Sequence, residues 1–471
     1  MSYNQGLKEF ALAYLQALAA RFFFPGSPEY AKSVGSYFSQ QEQSVHPDCI
    51  VQPDTTADVS KVLKTLDFVN WIAGKNSTCQ MAVRSGGRAA AAGTANINNG
   101  VTLDLRKLNS IKVNEDNGIV SVGAGATWGQ VYDSLDARNK SVVGGRVDGA
   151  GAADGVVTFE VVLADGSVVS AADHGKTADL AKALRGGTNN FGVVTRFDLR
   201  IFDQGQLWGG IIFANVSTID QHARELANFA KAETYDEYSS LITSFVLFNG
   251  QPPLIGVNPE YTKPVENPPA LQPMTSIPSI STTMRFANMS DLAKEIGALQ
   301  TPGMRQLTAE VTFKPTEAMI KATYNRWQEA LPEVKDVKGI AFIISMEPIP
   351  PSIYKRHANT NSLGLGDRTE SLLVALLSVT WDDDLDDDKL TEVAKRTINN
   401  IKADAKKLDS DDDFIYLNYA GPWQDPIASD GIESVQQLKK TRAKYDPHLF
   451  FTKKRPWRVQ DKHRVEIKRW R

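Results

Sequence analysis

Apolar positions along this chain recur with two periods, and the periods divide it into elements. From Met1 to Phe24, residues Phe10, Ala11, Leu12, Tyr14, Leu15 and Leu18 follow Lys8 and Glu9 at helical spacing, which predicts an amphipathic helix. Phe24-Pro-Gly-Ser-Pro-Glu-Tyr30 reads as a turn into a second short helix, and Ile50-Val51 as a strand. Asp54-Thr55-Thr56 then caps a helix with Val59, Val62, Leu63, Leu66 and Val69 on one face. Met81–Val83 predicts a buried strand, and Val101–Leu105 alternates as a half-buried one. Residues 111–114 and 119–122, joined across Glu115-Asp-Asn-Gly118, form a predicted hairpin. Thr127 caps a helix through Arg138. A second hairpin pairs 156–163 with 167–170 about Asp165-Gly166, followed by a helix from Thr177 and a strand over 191–201.

After Asp203-Gln-Gly-Gln206 the pattern changes. Strands are expected at 207–215, 240–248, 339–346 and 371–380, separated by helices at 217–232, 316–331 and 385–408. This spacing suits an antiparallel sheet covered on one face by helices. At 471 residues the chain has room for two or three domains.

Charge and composition narrow the function. A net charge of −3 directs no field toward nucleic acid or membrane, and no run is apolar enough to span a bilayer. The opening helix lacks the uninterrupted apolar segment of a signal peptide, so a cytoplasmic location is expected. Cys49 and Cys79 can form at most one bridge. The six histidines show no metal-ligand spacing, so no metal is expected. The acidic clusters at 382–388 and 409–413 bracket a helix and read as solvated caps. The stretch 453–471 is basic, with Trp457 and Trp470; RNA or lipid contact is one reading, a disordered tail the preferred one. Oligomeric state is not legible.

The stretch that bears chemistry is Arg84-Ser85-Gly86-Gly87-Arg88 after the strand Met81–Val83. Paired glycines let the backbone turn several N–H groups toward one point, a nest for phosphate oxygens. Arg84 and Arg88 are expected to place two cations at its edges. Taken alone, the loop reads first as an ordinary glycine-rich turn between strands.

This stretch and six further motifs together closely resemble the FAD-linked oxidases of the vanillyl-alcohol-oxidase/p-cresol-methylhydroxylase type, and within them the fungal berberine-bridge-enzyme-like branch. The motifs are His46–Pro53, Ala92–Asn109, Val142–Val147, Phe159–Ser167, Leu184–Phe197 and Tyr416–Ala420. The resemblance covers nearly the whole chain. It implies an α+β fold: a two-subdomain FAD-binding domain, then a substrate domain of antiparallel sheet covered by helices. The corresponding boundaries are 1–203, 204–413, a return to the FAD domain over 414–452, and the basic tail 453–471.

By resemblance, Arg84, Ser85, Gly86 and Gly87 hold the pyrophosphate, and Gly144 and Gly145 form a second turn by the cofactor. Gly186, Gly187, Asn189, Asn190, Phe191 and Gly192 line the flavin, with Asn418 and Tyr419 near its ring. A phenol can serve as base, so Tyr419 and Tyr416 are the catalytic candidates. The implied activity is FAD-dependent oxidation of a small organic substrate by dioxygen, in secondary metabolism.

Three departures bear on that expectation. Relatives commonly carry His at position 88, bonded to the flavin; Arg88 stays protonated and cannot form that bond, so FAD should be non-covalent. The glycine-rich segment that usually follows Gly-Gly-Arg-Val is shortened here to Gly144–Gly155. Asp148 and Asp154 stand in that shortened turn, where a diphosphate would repel them. These departures motivate a rival: a redox-inactive member working as cyclase, isomerase or lyase. A non-catalytic pseudoenzyme, or an artefact of gene assembly, is a third reading.

Overall fold

The computed structural model describes residues 21–73, 80–145 and 155–451. Most of the expected opening helix, Cys79, Asp148, Asp154 and the basic tail lie outside the described residues. The chain divides into two compact units. One comprises Met1–Asp203, Asn359–Leu363 and Gly431–Arg471, the other Gln204–Ala358 and Gly364–Asp430.

The first unit is built on two sheets. Its smaller sheet orders the strands Phe22–Phe23, Cys49–Val51, Val101–Asp104 and Met81–Arg84, the last three mutually parallel. The helix Thr56–Ala73 packs on it, burying all five apolar residues read from its period, Val59, Val62, Leu63, Leu66 and Val69. Thr55 and Asp58 cap that helix reciprocally, each backbone N–H donating to the other's side chain. The second sheet is antiparallel and contains both predicted hairpins, Ile111–Asn114 with Ile119–Gly123 and Val156–Val162 with Val168–Ala172. Gly166 turns the latter at φ +77°. The helix Trp128–Asp136 opens with a full capping box from Thr127 and Gln130.

One expectation fails here. The opening helix does not run to Phe24, because Phe22 and Phe23 are extended and pair with Val51 and Ile50. Aromatic residues suit a pleated surface, and Pro25 ends the segment.

The second unit is a nine-stranded antiparallel sheet with helices on one face. Ala223 and Leu226, Met319, Ile320 and Trp327, and Leu390, Val393 and Ile398 bring the three long helices onto it. The opposing strands contribute Phe245, Phe313, Phe342, Leu377 and Trp381, all buried. The expected single strand over 207–215 is two, Leu207–Gly209 and Ile212–Asn215, broken at Gly210 with φ +154°.

The chain rejoins the first unit at Gly431, not at residue 414. Residues 414–430 stay with the second unit because Gln424 is tied to the strand Arg305–Phe313. Its Oε1 accepts from Glu310 N at 3.0 Å and its Nε2 donates to Glu310 O at 2.7 Å.

Candidate functional site

The strand Met81–Arg84 delivers the turn Ser85-Gly86-Gly87 at the edge of the small sheet. Ser85 is exposed, and its hydroxyl donates to the Ala124 carbonyl. Gly87 sits at φ +74°, a conformation glycine adopts without strain. A Cβ there would come within 2.7 Å of Arg84 Nε.

Arg84 is not at the lip of the turn. Its side chain is fully buried beneath it. Nη1 donates to Ser33 O at 2.6 Å, and Nη2 to Ser36 O at 2.9 Å and Ser36 Oγ at 3.0 Å. The guanidinium lies over the Tyr37 ring, 3.7 Å from its centroid. The expected edge cation is therefore a buried one, because carbonyls at and just beyond the C-terminal end of the helix Pro28–Val34, some fifty residues upstream, meet it from below. Arg88 is half-buried and covers the Phe38 ring at 4.5 Å.

Next to Arg84, the buried Asp104 is gripped by Arg106 through Nε at 2.9 Å and Nη2 at 2.6 Å. Hydrogen bonds and the Arg106 charge overcome burial and hold its carboxyl below the usual range. The loop after the turn is clasped by the buried Glu42, which accepts from Gly93 N at 3.2 Å and Ala95 N at 2.7 Å. Burial pushes the Glu42 carboxyl up to about 7 despite those donors. A positive-φ glycine, an exposed serine and a buried guanidinium whose Nε–H has no hydrogen-bond partner fit a nucleotide diphosphate at this turn.

The other expected cofactor residues divide by exposure. Gly144 lies on Trp128 and Tyr132, where a Cβ would approach Tyr132 Oη to 2.5 Å, and Tyr132 donates to Gly145 O at 2.9 Å. Gly187, Asn190, Phe191 and Gly192 are buried. A Cβ at Gly187 would meet Ala183 O at 2.6 Å, and one at Gly192 would meet Val161 at 2.5 Å. Asn190 spends its amide on Gly187 O at 2.7 Å and Thr188 Oγ1 at 2.8 Å. These four residues pack the turn against its own unit. Asn189 alone of the pair of asparagines is part-exposed.

The second unit gathers the remaining candidates. Tyr416, Asn418 and Tyr419 lie on a single turn of 3-10 helix and its cap. Tyr419 Oη donates to Glu347 Oε1 at 3.0 Å, and Asn418 Nδ2 donates to Tyr416 Oη at 2.7 Å. The two rings meet edge to face at 4.9 Å. Tyr416 N is held by Glu310 Oε1 at 2.9 Å. Burial pushes the Glu310 carboxyl up to about 8.

Sequence reasoning missed Glu347. The predicted strand ended at residue 346, whereas it runs Ala341–Ile349. Phe342, Ile344 and Met346 point into the helix-covered core, so alternation sends Ser345 and Glu347 to the opposite face. Extending the period by one residue was the signal available.

Among the described residues, no group of three or more His, Cys, Asp or Glu is arranged to hold a metal ion. No described helix is long and apolar enough to cross a membrane.

Comparison with known proteins adds three findings. Residues 47–172 match the family model described as an FAD binding domain. The chain is 34% identical over 464 residues to the FAD-dependent monooxygenase drtC of Aspergillus calidoustus, covering 92% of this chain and 86% of that protein. It is 37% identical over 442 residues to the Oligopeptidase PhomG' of Diaporthe leptostromiformis; the match takes in 91% of this chain but spans only 35% of that protein's length. Among solved structures, Physcomitrella patens BBE-like 1 superposes with a TM-score of 0.75 at 17% identity, over 96% of this chain and 100% of that one. At that identity the likeness shows the fold alone.

Proposed function

This chain belongs to the FAD-binding oxidoreductases of the vanillyl-alcohol-oxidase/p-cresol-methylhydroxylase type, in the branch of the berberine-bridge-like enzymes and fungal FAD-dependent monooxygenases, and on that premise we propose that it oxidises a small organic molecule with dioxygen. We place the reaction in secondary metabolite biosynthesis, with FAD held non-covalently. Bound FAD supplies the two-electron acceptor for C–H oxidation. The Ser85–Gly87 turn holds the diphosphate through backbone N–H groups. Arg88, a guanidinium in place of an imidazole, leaves the cofactor unbonded to protein.

The observation that carries the acid–base part is the hydrogen bond from Tyr419 to Glu347 at 3.0 Å. Held by that hydrogen bond, Tyr419 is the acid–base residue toward a substrate hydroxyl or C–H-bearing group, and Glu347 orients its phenol. Tyr416, whose oxygen already accepts from Asn418, orients the Tyr419 ring edge-on and is the lesser candidate. The flavin-free cyclase or lyase reading is not favoured, since the family match runs straight through the nest strand.

Two measurements test the proposal. The purified protein should absorb as a flavoprotein, and acid precipitation should leave the yellow colour in the supernatant; a yellow pellet would contradict the role given to Arg88. Tyr419→Phe and Glu347→Gln should each lower kcat by roughly 10²- to 10⁴-fold while retaining full flavin content. Unchanged turnover in both variants would remove these residues from the chemistry.

A further inference from the structure

The ions beneath the Ser85–Gly87 turn are not paired one to one. Arg84 is fully buried, and all its observed partners are neutral: Ser33 O, Ser33 Oγ, Ser36 O, Ser36 Oγ and the Tyr37 ring. The carboxylate beside it, Asp104, accepts three hydrogen bonds from the Arg106 side chain, at 2.9, 3.1 and 2.6 Å. Arg106 also shares the serines with Arg84, reaching Ser36 Oγ at 2.7 Å and Ser33 Oγ at 3.0 Å. Arg84 thus forms no ion pair of its own among the described residues: Asp104 is committed to the part-exposed Arg106, and Glu42, the other acid whose charge acts on Arg84, has its carboxyl pushed up to about 7 by burial. A guanidinium cannot relieve this by losing its proton. Its Nε–H, moreover, is buried without a partner and lies against Gly87.

An uncompensated buried charge is destabilising in isolation. It is retained at low cost where a ligand of opposite sign docks over it. We propose that Arg84 is the built-in counter-charge of the diphosphate site, a positioning residue that acts from below the turn by its charge and by bracing Gly87, not by touching phosphate at the rim. The inference rests on the reading that this turn takes a nucleotide diphosphate. It adds how the site draws the diphosphate without a covalent flavin link and with a shortened second glycine turn.

The test uses ADP, which carries the diphosphate and no flavin, titrated calorimetrically into the full-length protein freed of FAD by dialysis. Arg84→Gln keeps hydrogen-bond donors and removes the charge; it should weaken ADP at least tenfold with the far-ultraviolet circular dichroism unchanged. Arg106→Gln removes one charge from the same cluster at a part-exposed position and leaves Arg84 in place, so it carries the test should Arg84→Gln not fold. It too should weaken ADP about tenfold. Both variants should keep their weakened affinity at all salt concentrations, whereas wild-type affinity should exceed theirs most at low salt. ADP binding within twofold of wild type in both folded variants would overturn the inference and leave the FAD reading standing. A wild-type protein that binds neither ADP nor FAD would overturn both.

Discussion

Gly87 and Arg84 occupy space that only one arrangement of the two can fill. A methyl group at residue 87 would meet the guanidinium at 2.7 Å, and the residue stands at φ +74°. Gly93 supplies the comparison, with φ +80° and nothing within 4 Å of an added Cβ. Gly93→Ala should therefore cost only the backbone term, about 1 kcal/mol. Gly87→Ala should cost about 2–4 kcal/mol, because the buried guanidinium must also shift off its carbonyls. Paired urea melts of the two variants measure the difference, and equal losses would show that Arg84 gives way freely. The pair also marks how far sequence can be read at this scale. The Arg-Ser-Gly-Gly string announced a turn for phosphate, but its arginine looked like a rim cation. Nothing local told otherwise, since the carbonyls that bury it come from Ser33 and Ser36 and its parallel neighbour is Asp104.

Helix and strand periods carried most of the element-scale architecture, because burial enforces them. The strands Ser239–Phe248 and Leu372–Trp381 lie within one residue of where the pattern put them, and the helix Thr56–Ala73 starts at the expected cap. One interior strand and the strand at one end of the sheet escaped it. Leu254–Tyr261 carries Gly256 and Pro259, residues that argue against a sheet interior, yet Pro259 stands opposite Leu241 in register. Arg305–Phe313 does alternate, burying Leu307, Ala309, Val311 and Phe313 against the helices, but its other face holds the buried Glu310 and so lacks a polar, solvated side. That strand positions the tyrosines. Gln424 clamps it with two hydrogen bonds, from Glu310 N and to Glu310 O, and accepts a third from Gly421 N. Gln424→Leu should cost about 2–4 kcal/mol, the sum of bonds lost and backbone groups left unsatisfied. Faster amide hydrogen exchange should then appear at Tyr416 and Gly421, with lower turnover, and not in the first unit. Uniform acceleration across both units would mean that the clamp acts on global stability and not on the turn.

For the molecule as a whole, the acids that decide pH dependence are buried ones, distributed over both units. Glu42 lies in the first, and Glu310 and Asp430 in the second. Burial pushes the three carboxyls up to about 7, 8 and 8, from ordinary values of 4.5, 4.5 and 3.8. Between its ordinary and its raised value each group holds a proton when folded that it releases on unfolding. The folded state then binds more protons, and stability falls as pH rises. The contribution is fully present below about pH 4 and is lost through pH 7 for Glu42 and pH 8 for the other two. Asp104 and Asp404 are held below their ordinary range by arginine partners and act in the opposite sense, losing stability only as the solution becomes strongly acidic. The balance predicts greatest stability near pH 5, followed by a decline on the order of 3–6 kcal/mol per buried acid toward pH 9. Because the acids divide between units, urea unfolding should separate into two transitions as pH rises, the second unit weakening later and further. Glu42→Gln should flatten the pH dependence of the first transition alone, and Glu310→Gln that of the second. A pH-independent midpoint from pH 5.5 to 8.5 in the wild-type protein would mean that these carboxyls ionise in place and that solvent reaches them.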